Sequence, residues 1–260
     1  MKRIHLFEFE DFPWFPAWLR ACLTRLMMVM HQLLGSSDEL AALLKKALAH
    51  SPKPAIIDLC AGSGGAMIAA FTQLRNQPGH TALHLTLTDR YPDHTLAAKL
   101  NADPTSPIYY EPASIDAAAV PPALIGVRTM VCSFHHMPPA TARAILADAA
   151  EKRQPICIYE ISDNSFPILL WWIALPLNFL MTFFITPFVR PLTVQQVLFT
   201  YAVPIIPFFF AWDGAVSNAR TYTPDDMAQL LTGLEKPDYQ WEMGRLTGKA
   251  KKLYLLGLPV

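Results

Sequence analysis

His135 and His136 stand side by side at the end of VRTMVCSFHH, just past an apolar run that reads as a strand. An imidazole titrates near neutral pH, so a histidine presented at a strand end can take a proton from a weakly acidic nucleophile. The alternative for paired histidines at such a place is ordinary loop hydrogen bonding. A second set lies upstream. In IIDLCAGSGG, Asp58 ends a short apolar run and Gly62, Gly64 and Gly65 follow, immediately before a helix-forming stretch. Glycines at that turn let a nucleotide-like ligand approach the backbone and leave N–H groups open at the helix N-terminus. Asp89 closes the next apolar run, 24 residues past Gly65, where a carboxylate can accept hydrogen bonds from two ribose hydroxyls. A third set, Trp212, Asp213, Arg220 and Tyr222, falls in AWDGAVSNARTYTPDD, which reads as a polar loop. Arg220 suits an anionic head group, and Asp213 or Tyr222 can orient a nucleophile. The bland alternative is that Asp213 and Arg220 pair with each other to fix the loop. Glu160 and Asp163, past a later strand-like run, are secondary candidates.

The elements that must position these residues alternate. AIIDL, ALHLTL, PIYYEP, VRTMVC and PICIYEI are short apolar or β-branched runs, separated by the helix-compatible AMIAAFTQLR, HTLAAKLN and PATARAILADAAEKR. That alternation predicts an α/β fold with a parallel sheet and helices on both faces. DYQWEMGRL and KKLYLLGLPV, joined at Thr247-Gly248, read as an antiparallel hairpin closing the sheet. Before the sheet, PWFPAWLRACLTRLMMVMHQLL places Trp14, Trp18, Cys22, Leu26, Met30 and Leu33 on one helical stripe. This amphipathic helix either covers a sheet or pocket, with Trp18 against substrate, or lies on a membrane surface. A further helix begins at Ser36, with Glu39 at capping-box spacing. DDMAQLLTGL forms another, with Thr223 as its N-cap.

Composition narrows the partners. Lysine plus arginine and aspartate plus glutamate each number 21, so no basic excess points to nucleic acid. Apolar residues make up 52% and charged ones 16%, against roughly 25% charged in ordinary domains. The surplus concentrates in residues 166–212, where Arg190 is the only charge in 47 positions. That length permits two bilayer passes of about 20 residues each. The strands on either side belong to one sheet, so only an even number of passes or a re-entrant excursion fits. Pro167, Pro176, Pro187, Pro191, Pro204 and Pro207 cut the segment into short helical pieces. Three readings follow: membrane attachment within one leaflet, an oily lid or subunit interface, or a two-pass hairpin. The first two imply an apolar ligand. Cys22, Cys60, Cys132 and Cys157 lack CxxC spacing and read as reduced packing residues of a cytosolic protein. No secretory signal is read at the N-terminus. No set of residues has metal-ligand spacing, so no metal is expected.

Two cofactors compete for the glycine turn. The dinucleotide fingerprint asks for a third glycine where Met67 stands, which disfavours NAD and FAD. The set as a whole resembles the class I S-adenosylmethionine-dependent methyltransferases, through IIDLCAGSGG, the strand end LTLTD, SID at 114–116, MVCSFHH at 130–136 and the closing hairpin. The match spans roughly residues 53–164 and 238–260, and only the glycine loop and Asp89 are specific within it. The resemblance implies a Rossmann-like seven-stranded sheet, mostly parallel, with S-adenosyl-L-methionine across the carboxyl ends of the first two strands. It further implies that Asp58, Gly62 and Gly64 form the loop under the methionine part and that Asp89 holds the ribose, with Ala61, Ser63 and Arg90 also at the cofactor. Ser114, Ile115 and Asp116 would lie against the adenine, and Ser133 completes the set. Cys60-Ala61 departs from the family pattern, where many members carry a glycine and an acidic or small residue.

The expected organisation is an N-terminal helical cap (1–50), a cofactor-binding core (51–164), a hydrophobic helical insertion (165–212), and a C-terminal helix with the closing strands (213–260). The expected activity is methyl transfer to a hydrophobic lipid-like or natural-product-like small molecule. His135, His136, Tyr222 and Asp213 are the catalytic candidates, and His136, Arg220, Trp212 and Trp18 the substrate contacts. The expected location is the cytoplasm, at the inner face of the cytoplasmic membrane. Rival readings are a nicotinamide-dependent oxidoreductase and a non-catalytic membrane-associated binding protein on the same fold.

Overall fold

The computed structural model describes residues 1–165 and 167–260, without the side chains of Ile168 and Thr247; Phe166, which opens the apolar segment, lies outside the described residues. In chain order the elements are α1 (Ala17–Leu34), α2 (Ser36–Leu48), β1 (Ala55–Asp58), α3 (Gly65–Arg75), β2 (His84–Leu87), α4 (His94–Leu100), β3 (Ile108–Tyr110), β4 (Val127–Val131) and α5 (Pro139–Glu151). They continue with β5 (Ile156–Glu160), α6 (Ala174–Ile185), α7 (Val194–Val197), α8 (Ile205–Arg220), α9 (Pro224–Leu231), β6 (Tyr239–Thr247) and β7 (Lys251–Pro259). The chain forms two compact units: a sheet unit of residues 35–161 and 227–260, and a helical unit of residues 1–34 and 162–226.

In the sheet unit, seven strands run in the order β3-β2-β1-β4-β5-β7-β6. The first five are mutually parallel, β7 is antiparallel to β5, and β6 is antiparallel to β7. β5, ICIYE, is buried at every position. A strand covered on both faces reads as an unbroken apolar run rather than an alternating one. Leu40, Leu44, Met67, Phe71, Leu85, Tyr159 and Leu256 share one core, so α2 belongs with the sheet and not with a cap of residues 1–50. The capping box expected at Ser36 and Glu39 is also absent. Gly35, at φ 67°, is the N-cap and Ser36 lies within the helix. Glu39 instead accepts hydrogen bonds from Tyr159 Oη at 3.0 Å and Lys252 Nζ at 2.6 Å. The buried Lys252 ammonium is a stronger partner for a carboxylate than a backbone N–H.

In the helical unit, Leu19, Cys22, Leu23, Leu26 and Val29 of α1 pack with Ile185, Val189, Ile206 and Phe210. The expected stripe is rotated: Cys22 and Leu26 are buried, whereas Trp14 is 64% and Leu33 47% exposed. The helix is apolar nearly all round its middle, so the packing of α6 and α8 chooses the buried face. Pro187, Pro191 and Pro204 stand at the breaks between the helical pieces, as expected, whereas Pro176 and Pro207 lie inside helices. Pro176 and Pro207 are the third residues of α6 and α8, and Pro204 is an N-cap. In α8, which starts after a break, first-turn N–H groups have no intrahelical acceptor, so Pro207 costs no hydrogen bond. Leu169–Phe188 is continuously helical for 20 residues, long and apolar enough to cross a bilayer, and Val194–Ala202 meets Ile205–Arg220 at an 84° bend. The polar loop expected from Ala211 is the second half of α8. Helix initiated in the aromatic run propagates through AWDGAVSNAR because each added residue gains a backbone bond.

The polarity of this unit is inverted. Leu177, Leu180, Phe184 and Phe188, at helical spacing, are 56–74% exposed, and Val194, Val197, Leu198 and Tyr201 also face outward. Thr182, Thr186, Gln196 and Thr200 are fully buried.

Candidate functional site

The glycine turn joins the carboxyl end of β1 to α3. The chain takes left-handed backbone at Cys60 (φ 56°), Gly62 (φ 52°) and Gly64 (φ 80°). Gly64 is required twice over. Its conformation is one that L side chains disfavour, and an added Cβ would lie 2.6 Å from Ile68 Cδ1. Around Gly62 nothing lies within 4 Å of that position, so this side of the loop is open. No side-chain hydrogen bond caps α3 at Gly64, and first-turn N–H groups have no intrahelical acceptor.

Asp89 lies beyond the end of β2 and ties the loop together. Its Oδ2 accepts the Gly62 N–H at 3.0 Å and its Oδ1 the Tyr91 N–H at 2.9 Å. A carboxylate has about four acceptor positions, which leaves capacity for ribose hydroxyls. Asp58 is buried and accepts from Thr129 Oγ1 at 2.6 Å. Burial pushes its carboxyl up to about 7, partly offset by the Thr129 hydroxyl. Beneath the loop, Tyr110 Oη donates to the Gly62 carbonyl at 3.1 Å. Ser114 Oγ donates to the Arg90 carbonyl at 2.6 Å, Asp116 pairs with Arg90 at 3.3 Å, and the Ile115 N–H donates to the Asp89 carbonyl at 2.9 Å. Those residues therefore gather beside Asp89, while Ala61 and Ser63 lie in the turn itself. Burial also pushes the Cys60 thiol up to about 12, which removes it as a thiolate nucleophile at neutral pH.

His135 and His136 occupy a short helical turn after β4. The His135 ring Nδ1 lies 2.9 Å from Glu160 Oε2, and its backbone N–H donates to Glu160 Oε1 at 3.1 Å. Both side chains are buried. A carboxylate only accepts, so Nδ1 carries the proton and Nε2 is the basic nitrogen. The His136 ring lies against that of His135, centroids 4.3 Å apart. Ser133 Oγ is buried with no hydrogen-bond partner among the described residues.

The other candidates lie in the helical unit. Asp213 accepts the N–H groups of Phe9 at 2.7 Å and Glu10 at 3.3 Å. Arg220 pairs with Glu8 at 3.0 Å and Asp11 at 2.7 Å, so it does not pair with Asp213 as the bland reading supposed. Tyr222 is buried, with Arg3 stacked on its ring and donating to its hydroxyl at 3.0 Å. Trp212 Nε1 donates to the Phe7 carbonyl at 2.9 Å, and Trp18 packs on Phe199. These contacts tie the N-terminal segment to α8. Thr129, Tyr110 and Thr88, whose Oγ1 donates to the Asp58 carbonyl at 3.0 Å, were invisible as site residues in the sequence, because residues in or beside a strand that brace a loop have no signature beyond β propensity.

No protein-family model matches the chain, and no curated protein matches it. Among solved structures it is similar to the plantazolicin methyltransferase BpumL in complex with SAH, at 9% identity and a TM-score of 0.52, over 94% of this chain and 98% of that one. It is also similar to LaPhzM, at 16% identity and TM-score 0.49, over 88% of this chain and 56% of that one. A third is human N-acetylserotonin methyltransferase in complex with SAM, at 13% identity and TM-score 0.48, over 90% of this chain and 55% of that one. The chain thus spans little more than half the length of the last two. At such identities the likeness concerns architecture, and the architecture is the Rossmann-like seven-stranded sheet of the class I S-adenosylmethionine-dependent methyltransferases.

Proposed function

We propose that this chain is an S-adenosylmethionine-dependent methyltransferase acting on a hydrophobic small molecule. The observation that carries the reading is the glycine turn, open at Gly62, with the uncapped N-terminus of α3 following it and Asp89 accepting the Gly62 N–H. The residues fit the cofactor: helix N–H groups suit its carboxylate, Asp89 its ribose, and the edge formed by Arg90, Ser114, Ile115 and Asp116 its adenine. The buried Ser133 hydroxyl is a further donor in search of an acceptor. When bound, S-adenosylmethionine supplies a methyl group on a sulfonium, an electrophile with its leaving group built in. Positioning then provides most of the rate effect. His135 takes the acceptor's proton at Nε2, and Glu160 holds the ring and stabilises the imidazolium that results. His136 contacts the acceptor beside it. Met67, 1% exposed in the core, stands where a dinucleotide site needs glycine, which favours this cofactor over NAD.

The inverted polarity of the helical unit supports attachment to a membrane surface. Threonine and glutamine turned inward with leucine and phenylalanine turned outward suit an apolar surrounding, and that surrounding would also hold an apolar acceptor.

The test is a thermal-shift titration of detergent-purified protein with S-adenosylhomocysteine, with NAD as control. A saturable rise with the former alone is expected from ligand linkage. No rise in a cooperatively melting sample would sink the reading. Incubation with labelled S-adenosylmethionine and a lipid extract then separates an enzyme from a binding protein that keeps the fold.

A further inference from the structure

Arg128 is the second residue of β4 and is 1% exposed. It lies at the opposite end of the strand from the candidate site, with Ser133 five residues on, roughly 16 Å at the rise of an extended strand. A guanidinium has five N–H donors. Here Nη1 donates to Asp148 Oδ2 at 2.7 Å, and Nε is buried with no partner among the described residues. Asp148 is not Arg128's alone, because its other oxygen accepts from Lys152 Nζ, which also donates to the Val120 carbonyl at 2.7 Å. Two cations therefore share one carboxylate. Leaving such a group short of acceptors is costly in a protein interior.

The same two cations line a cavity of about 260 Å³ together with Gln154 and the apolar Pro122, Leu124 and Ile125. That volume lies just under the roughly 300–1,000 Å³ of pockets for drug-sized ligands, so its occupant is small. We propose that this cavity is a binding site for a small organic carboxylate with an apolar body, separate from the methyl-transfer site. The carboxylate supplies the acceptors that Arg128 lacks and balances the second positive charge, and a planar carboxylate matches a guanidinium better than a spherical anion does. The hydrocarbon part rests on Pro122, Leu124 and Ile125.

The test uses benzoate as the probe, with benzyl alcohol and sodium sulfate at matched ionic strength as controls, and reads the melting temperature and titration heat of the full chain. Benzoate is expected to bind saturably and to raise the melting temperature, with neither control reproducing the effect. Two variants localise it without touching the buried arginine. Ile125→Trp fills the half-buried wall. Lys152→Gln releases Asp148 to compete for Arg128. Each is expected to weaken benzoate at least about tenfold, Lys152→Gln through the loss of roughly one charge-assisted interaction and Ile125→Trp by filling the space for the ring, while still melting cooperatively. Absence of saturable binding by the native chain overturns the proposal. So does benzoate affinity unchanged in Ile125→Trp, or an equal effect from sulfate.

Discussion

Glu160 grips His135 at two points: Oε1 accepts the backbone N–H at 3.1 Å and Oε2 lies 2.9 Å from the ring Nδ1. The two residues stand 25 positions apart in sequence, at the ends of neighbouring parallel strands. An imidazole held this way has both its tautomer and its direction set by one carboxylate. His135→Ala is expected to lower kcat by about 10²–10⁴ with S-adenosylhomocysteine affinity unchanged. Glu160→Gln is expected to lower kcat less and leave KM in place. Equal loss of cofactor binding in either variant would show that the pair only shapes the loop.

Asp89→Ala removes the acceptor for the Gly62 and Tyr91 N–H groups as well as the proposed ribose contact. S-adenosylhomocysteine affinity is expected to fall about 10–100-fold, the range for loss of charged hydrogen bonds, and Asp89→Asn to fall between native and alanine. Isothermal titration reads both. Native affinity in Asp89→Ala contradicts the assignment of the cofactor edge.

Gly64→Ala forces a side chain into φ 80° and against Ile68 and Leu87. The expected loss of stability is about 1–3 kcal/mol, with cofactor affinity lost as the turn shifts. Gly79→Ala is the control for conformation without collision: φ is 85° and nothing lies within 4 Å, so a loss of about 1 kcal/mol is expected. Urea denaturation of the two variants separates the steric part from the backbone part.

In the helical unit, burial pushes the Glu10 carboxyl up to about 8 and the Asp213 carboxyl up to about 7, with nearby carboxylates adding to both. In the unfolded chain both titrate near their ordinary values of about 4. Between about pH 4 and pH 8 the folded state therefore holds protons that the unfolded state has released, and stability falls as pH rises through that window. The melting temperature is expected to drop from about pH 6 to pH 9. Asp213→Asn, which keeps an acceptor for the Phe9 N–H, is expected to flatten the slope. A stability curve that climbs with pH would contradict the shifts.

Leu177, Leu180 and Phe184 are 63%, 56% and 74% exposed on one face of α6. Replacing all three with serine removes apolar surface worth several kcal/mol of transfer free energy, at about 1.5–3 kcal/mol per buried side chain. Flotation with phosphatidylcholine vesicles is expected to fall at least about tenfold, with the S-adenosylhomocysteine shift intact. Undiminished flotation, or a change in oligomeric state without one in flotation, would move this face from a lipid contact to a subunit contact.

Local chemistry already wrote much of the sheet unit into the sequence. Short β-branched runs, the glycine turn and the closing hairpin depend on residues near one another in the chain, so the strands, the α/β class and the Asp89–glycine relationship were legible there. Thr223 also caps α9 as its position suggested: its Oγ1 accepts the Asp226 N–H at 3.2 Å, and its own N–H donates to Asp226 Oδ2 at 3.1 Å. What the tertiary structure alone decided concerns partners far apart in sequence. Lys252 takes Glu39 away from an N-cap, Glu8 and Asp11 take Arg220 from Asp213, and the packing of α6 and α8 selects which side of α1 is buried. The inverted helical unit was equally out of reach. A segment apolar at nearly every position gives periodicity nothing to read, and only its packing shows that four of its few polar side chains point inward.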